Sequence, residues 1–340
     1  MKITLPLRQF PESRNEQHQL ISGYFSGKEY QLIFSAENVD VILSWPKDSL
    51  YYIDPNLQTG LDWWDKSLLV KNMPLSIQQK SNYQLSLNDN WTLFAWANWL
   101  KRRTQKGQNV EKLIILHIDD HRDCMSPLLF LQEPGIYLDP LTNKRVTMEK
   151  PESISSAIES GAIAVGSFMP VFFHQMPNIE FRHLLPPHRM QMAYKAGAIK
   201  NLFEKDDLLC LDCDRPTMVF ENHGHSQHIY CPTADLAIFL ANIPPDVPVL
   251  LHVDMDYFNN RFDGDSDWKS HEFLHDPMEE SVLLQVSKVF EAILASVPRK
   301  QLEDITVALS PGFFPAEFWK DTISIIDSKF QETNEQPNNP

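Results

Sequence analysis

Glycine is scarce in this chain, at 11 of 340 residues, and the motifs built on it are missing. Neither G-x-G-x-x-G nor G-x-S-x-G occurs. Gly161 and Gly166 have the spacing of a P-loop's glycines, but Ser167-Phe168 follows where Lys-Ser/Thr is required. Nucleotide binding by such a loop and serine-hydrolase chemistry on a nucleophile elbow are thereby excluded. The 4 cysteines are too few for a disulfide framework in a chain of this size. No segment approaches the roughly 20 apolar residues that span a bilayer. Met1-Lys2-Ile3-Thr4-Leu5-Pro6-Leu7-Arg8 lacks the apolar core of a secretory signal, so the expected location is cytoplasmic. Positive charge is also in deficit, with 30 Lys+Arg against 45 Asp+Glu and a net charge of −15. That argues against nucleic acid and membrane as partners and suits a cationic substrate.

What is present is an ordinary globular composition, 43% hydrophobic and 22% charged, with 24 prolines. Residues 1–85 carry short aromatic or alternating runs, Tyr30-Gln31-Leu32-Ile33-Phe34 and Val39-Asp40-Val41-Ile42-Leu43. Turn chemistry interrupts them at Asp54-Pro55-Asn56 and Thr59-Gly60, so they read as a β-rich N-terminal section packed on the domain formed by residues 86–330. Over 86–330 helices alternate with apolar strands, the signature of an α/β fold: a three-layer α/β/α sandwich around a mainly parallel sheet. The patterning predicts helices at 91–103, 153–160, 233–241, 278–295 and 315–328. It predicts strands at 113–118, 162–166, 208–212, 249–253 and 305–309, with a poorly patterned connection at 125–150. Val282, Val286, Val289 and Ile293 mark one face of the longest helix. The polar tail 331–340 is expected to be disordered.

Two acidic strings carry the chemistry. Asp119-Asp120-His121-Arg122-Asp123 follows the apolar run Leu113-Ile114-Ile115-Leu116, and Asp254-Met255-Asp256 follows Val249-Leu250-Leu251. Carboxylates at the ends of buried strands are costly to desolvate unless a cation sits among them. In open α/β sheets that edge is where ligands bind. Asp119, His121 and Asp123 alternate along the chain and project to one side, as do Asp254 and Asp256. Four carboxylates and one imidazole suit Mn2+ better than a structural zinc. Five ligands exceed what one open site takes, which points to two ions about 3.5–4 Å apart with a hydroxide between them.

The pattern Asp119-x-His121-x-Asp123, followed far downstream by Asp254-x-Asp256, resembles the metal motifs of the arginase/agmatinase ureohydrolases. Ser310-Pro311-Gly312-Phe313-Phe314-Pro315-Ala316-Glu317 is similar to that family's late T-G-G-L-T-x-R-E segment, with the glutamate at the same offset. The three segments lie within residues 110–320. The resemblance implies Asp119 and Asp254 as ligands shared by two Mn2+ ions, His121 and Asp256 completing one ion and Asp123 the other. It implies that Glu317 grips the substrate's guanidinium. The sequence departs from the family at two places. Asn90, in Asn88-Asp89-Asn90-Trp91, stands where the family has its first histidine ligand, leaving its amide for the ion or the substrate. Asn259 replaces the last aspartate of D-x-D-x-x-D. These departures, with Phe168-Met169-Pro170, resemble the branch containing the peptide arginases, which convert arginine side chains of a ribosomal precursor peptide to ornithine and release urea. The expected partner is then an arginine-containing peptide, with homo-oligomerisation left open. A small-molecule ureohydrolase acting on free arginine, agmatine or a guanidino acid, and a non-catalytic binder that keeps the acidic rim, are the alternatives.

Other features have plainer readings. The proton donor to the leaving amine stays open among His174, His188, His223 and His225. His117 and His252, two residues before Asp119 and Asp254, are expected to be hydrogen-bonded core histidines. Binuclear metallophosphatases require G-D-x-x-D and G-N-H, which are absent, and the single-zinc deacetylase pattern does not require Asp123 and Asp256 together. Cys210-Leu211-Asp212-Cys213, near His223, His225, His228 and Cys231, is read as reduced thiols beside a histidine-rich loop, a structural zinc being the alternative. Asp263-Gly264-Asp265-Ser266-Asp267 begins like a calcium loop, but Trp268 occupies the sixth position where glycine is needed. It is read as a solvated loop near the site.

Overall fold

The computed structural model describes residues 1–190, 194–222, 224, 226–270 and 275–335. Its first strands are β1 (Lys2–Pro6), β2 (Glu29–Phe34) and β3 (Asn38–Ser44), with α1 (Arg14–Tyr24) between β1 and β2. After α2 (Leu57–Trp64) come β4 (Ile77–Gln79), β5 (Gln84–Ser86), α3 (Trp91–Gln105) and β6 (Leu113–Ile118). Strands β7 (Phe130–Glu133), β8 (Ile136–Asp139) and β9 (Lys144–Val146) precede α4 (Pro151–Ser160), α5 (Met169–Gln175), β10 (Ile179–Leu184) and the short α6 (Pro187–Met190). Then follow β11 (Gly197–Lys205), β12 (Asp214–Glu221), β13 (His228–Thr233), α7 (Leu236–Leu240), β14 (Val249–Asp254), α8 (Glu279–Ser296), β15 (Leu302–Ala308) and α9 (Trp319–Glu335).

A nine-stranded sheet in the order β12-β11-β13-β10-β6-β14-β15-β5-β4 organises the chain. The six strands from β13 to β5 run parallel, and antiparallel pairings at β11–β12 and β4 close the two sides. Every residue of β6 and of β14 is buried. That explains their continuous apolar sequences, since a parallel strand covered on both faces has no polar side. Leu113 and Ile115 join an apolar cluster with Trp96, Trp99, Ile158 and Phe172. Ile114, Leu116 and Ile118 join a second cluster with Val286, Phe290, Trp319 and Ile326. Helices α3, α4 and α5 thus pack with one set of strand side chains, and α2, α8 and α9 with the other. The pattern read in α8 holds, with Val282, Val286, Val289, Phe290 and Ile293 buried. No helix among the described residues is long and apolar enough to cross a membrane.

Strands β1, β3 and β2 form a separate antiparallel sheet, whose Leu5, Val39 and Val41 belong to the same cluster as Trp96. The N-terminal section also holds helices that strand patterning did not suggest. The start of α1 was available from Ser13-x-x-Glu16, since the Ser13 hydroxyl accepts the Glu16 N–H at 3.2 Å. The strand expected at 162–166 is a loop. Gly161 ends α4 in the left-handed conformation at φ 87°, and the chain does not re-extend. The strand expected at 208–212 is the turn between β11 and β12, drawn tight because Asp206 accepts the N–H groups of Leu208, Leu209 and Cys210. Within it Cys210 and Cys213 form a disulfide, correcting the reduced-thiol and zinc readings. The connection at 125–150 is a three-stranded sheet of β7, β8 and β9. The last helix begins at Trp319 rather than 315 and runs on to Glu335, and the rest of the expected tail lies outside the described residues.

Gly60 shows how closely α2 meets α9. A methyl group there would lie 2.5 Å from the Trp319 ring and 2.8 Å from the Ala316 methyl. Alanine normally favours a helix interior over glycine by about 1 kcal/mol. Overpacking a filled core costs about 1–3 kcal/mol, so the clash should win. Gly60→Ala is expected to be destabilising, as an equilibrium urea unfolding curve would register.

Candidate metal centre

Strand order and register assemble the centre. Val253 of β14 lies opposite Ile118 of β6, so Asp254 and Asp119 come next to each other as the two strands end. Ala308 of β15 pairs with both Asp254 and Ser86 of β5. Ser310 and Asp89, just past those strands, therefore reach the same rim. Asp119 and Asp120 have no exposed surface, and Asp89, Asp123, Asp254 and Asp256 are buried.

Beneath the acids lies a layer of histidines. His183, His117 and His252 sit at one register on β10, β6 and β14, and all are fully buried. His117 Nε2–H donates to the His121 carbonyl at 2.9 Å, which leaves Nδ1 to accept from His252 Nδ1–H, also at 2.9 Å. His183 Nε2–H donates to the Asp119 carbonyl at 3.1 Å and Nδ1 accepts from the Tyr230 hydroxyl. Burial lowers all three, His117 to about 3, so they stay neutral, and His117 and His183 donate to the chain that carries the acids. His117 and His252 make the bonds of core histidines, yet both also belong to a group with Asp119 and Asp123 that could hold an ion. His117 Nε2 stands 3.6 Å from Asp119 Oδ2 and 4.0 Å from Asp123 Oδ2.

Among the described residues, three groups offer ligand atoms within 4.8 Å of one another: His117, Asp119, Asp123 and His252; Asp119, His121 and Asp256; and Asp120, His121 and Asp263. In the second, His121 Nδ1 lies 2.9 Å from Asp256 Oδ2 and 3.6 Å from Asp119 Oδ1. In the third, Arg189 already spans Asp120 and Asp263, so a guanidinium balances that charge.

Burial and mutual repulsion disfavour the charged forms of the acids, a cost that protons or a cation would relieve. Burial and then the charges of Asp256 and Asp254 push Asp119 well above the ordinary carboxylate range. Burial and the charges of Asp119 and Asp89 do the same to Asp123. Asp254 is raised by burial and by Asp256 and Asp89, and Asp89 itself is pushed up to about 7, chiefly by burial. For His121, burial works against its charge, but Asp256, Asp119 and Asp263 outweigh it and hold the imidazolium well above its usual range. Asp89 Oδ1, Asn90 Oδ1, Asp119 Oδ2 and Asp123 Oδ2 are buried without a hydrogen-bond partner. Buried oxygens rarely stay unpaired, and a set of hard oxygens beside an imidazole is the donor chemistry of a divalent ion. The residues fit such an ion.

The expected site residues fall unevenly. Asp119, His121, Asp123 and Asp256 come together in those groups. Asp254 is adjacent, but its oxygens accept from the Ser310 hydroxyl at 2.5 Å and the Asp256 N–H at 3.1 Å, and it belongs to none of the three. Asn90 donates to the Ile163 carbonyl at 2.8 Å. Glu317 is held by Arg261, whose Nη1 donates to Oε1 at 2.5 Å, while Oε2 is buried and unpartnered. His188 reaches the rim, 3.6 Å from Asp120 Oδ1. His174 faces the Thr217 carbonyl instead, and His223 and His225 lie outside the described residues. Sequence reading missed Asp89, whose Oδ2 accepts the Gly166 N–H at 2.8 Å. Its only signal was its place beside Asn90. No protein-family model matches the chain, and none of the curated proteins searched matches it either.

The raised carboxylates set a pH dependence. An acid whose folded pKa lies above its unfolded value near 3.8 binds more protons when folded, so stability falls as pH rises toward the folded pKa. The buried histidines oppose this only below their unfolded value of 6.5, since above it they are neutral in both states. From about pH 6.5 upward the raised carboxylates should therefore cost the metal-free chain thermal stability, with Lys28, lowered to about 7 by burial, working against them. Added Mn2+ should restore it, most strongly at the alkaline end, as a melting series with and without the ion would record.

Proposed function

We propose that the protein is a Mn-dependent hydrolase of guanidinium groups that converts arginine side chains in a peptide to ornithine with release of urea, on a three-layer α/β/α scaffold of the arginase and deacetylase kind. The observation that carries this reading is the meeting of both acidic strings at one sheet edge, with buried carboxylate oxygens left unpaired. Asp119 and Asp123, with His117 and His252 grouped beside them, would hold one ion. Asp119, His121 and Asp256 would hold the other, with Asp254 beside both. When bound, the ions supply charge neutralisation and lower the pKa of coordinated water, so that a nucleophile forms near neutral pH.

The chain's own residues supply the rest. Water adds to the guanidinium carbon, the bond from that carbon to the side-chain nitrogen breaks, and the amine leaves with a proton. His188, on the rim beside Asp120, is the described candidate best placed to give that proton. Glu317 offers a carboxylate already matched to a guanidinium by its pairing with Arg261. The acidic balance of the chain favours approach of a cationic side chain over an anionic one.

The test is direct. The Mn-loaded protein, given an arginine-containing peptide, should produce ornithine in that peptide, read as loss of the elements of cyanamide by mass spectrometry, and equimolar urea. Asp119→Ala should abolish both Mn2+ uptake and turnover. Urea release from free arginine or agmatine but not from peptides would favour the small-molecule reading. Absence of bound Mn2+ would leave only a binding role.

A further inference from the structure

We infer that Asp263 is a positioning residue for His121: its carboxylate takes the Nε2–H and so presents Nδ1 to Asp119 and Asp256. The inference rests on the metal reading above and adds to it a residue that the sequence suggested only as part of a solvated loop. His121 Nε2 lies 3.3 Å from Asp263 Oδ1, while its Nδ1 lies 2.9 Å from Asp256 Oδ2. An imidazole with one nitrogen on a carboxylate and the other toward an ion has its tautomer and ring plane fixed, and removing such a carboxylate weakens metal binding about 10–100-fold.

Asp263 is itself held, which separates a built relay from a chance contact. Asn260 Nδ2 donates to Asp263 Oδ1 at 3.0 Å, and the Asp263 N–H returns to Asn260 Oδ1 at 2.9 Å. Arg189 donates to the same Asp263 oxygen at 3.3 Å. Both partners also grip Asp120, Asn260 at 2.7 Å and Arg189 through Nε and Nη2. The Asp120 N–H in turn donates to Asp256 Oδ1 at 3.1 Å. The relay therefore ties the two acidic strings to each other through neighbours of their ligands. The loop is anchored on the far side too, where the Gly264 N–H donates to the Gly312 carbonyl at 3.0 Å. Phe313 packs edge-on against His121 with ring centroids 5.5 Å apart.

Asp263 has φ 48°, in the left-handed region. Glycine and asparagine both tolerate that backbone, so each tests the side chain with little added strain. Glycine removes the acceptor, and asparagine keeps one oxygen for the imidazole N–H. Mn2+ affinity and stoichiometry, measured on the metal-free full chain by competition with a chromogenic chelator, provide a readout independent of activity. Asp263→Gly should bind one of its ions about tenfold more weakly or worse, while Asp263→Asn stays within about threefold of wild type. Wild-type affinity for both ions in Asp263→Gly would overturn the inference, as would an equal loss in the asparagine variant. A wild-type chain that takes up no Mn2+ would remove the metal reading, and this inference with it.

Discussion

Like charges held in a dry place govern this molecule. Asp89, Asp119, Asp123, Asp254 and Asp256 share one end of the parallel sheet, and all are buried. Two unit charges about 4 Å apart repel by about 4 kcal/mol at an effective dielectric near 20. A few such pairs would rival the roughly 5–15 kcal/mol that holds a typical domain together. The cluster can therefore persist in two ways, by keeping protons or by taking up cations. The protonated form explains the raised carboxylates, and the cation form gives those same groups a use.

The rest of the fold serves that end of the sheet. Parallel pairing brings the ends of β6, β14, β15 and β5 side by side, which no antiparallel arrangement of consecutive strands would do. The layer of neutral histidines fixes the carbonyls of Asp119 and His121, the first and third residues of one string, so that their side chains converge without relying on the ion. Asp123 reaches the cluster from a left-handed backbone at φ 56°, a conformation aspartate tolerates better than most residues. Non-glycine strain of this kind persists where surrounding contacts over-determine it. Here the Asp123 carbonyl is pinned by the Met169 N–H.

The parts of the centre legible in the sequence were those whose physics is local. A carboxylate that directly follows a buried apolar strand has few explanations, and Leu113–Ile118 and Val249–Asp254 announce themselves by continuous hydrophobicity. Asp89 gives no such notice. Its strand has three residues, and Asn88-Asp89-Asn90 reads as the capped start of α3. Only the pairing of β5 with β15 carries it to the rim. His183 was hidden because Glu180 and Arg182 interrupt β10, and those charges pair with each other rather than with solvent. Asp263 looked like a turn residue and is one. Its contact with His121 spans 142 positions, and no spacing rule reports it.

Glu317 has to meet two demands at once. A carboxylate meant to grip a substrate guanidinium bidentately needs both oxygens, yet Oε1 is taken by Arg261. Arg261 has a second partner, because its Nε donates to Asp276 at 2.9 Å. An incoming guanidinium that replaces Arg261 on Glu317 breaks one charge-assisted pair and forms another of the same chemistry, while Arg261 stays neutralised by Asp276. That exchange would be close to balanced under the proposed function, with the unpartnered Oε2 as a further acceptor. Under the proposed function, Arg261 keeps Glu317 from standing as an unpaired charge between turnovers.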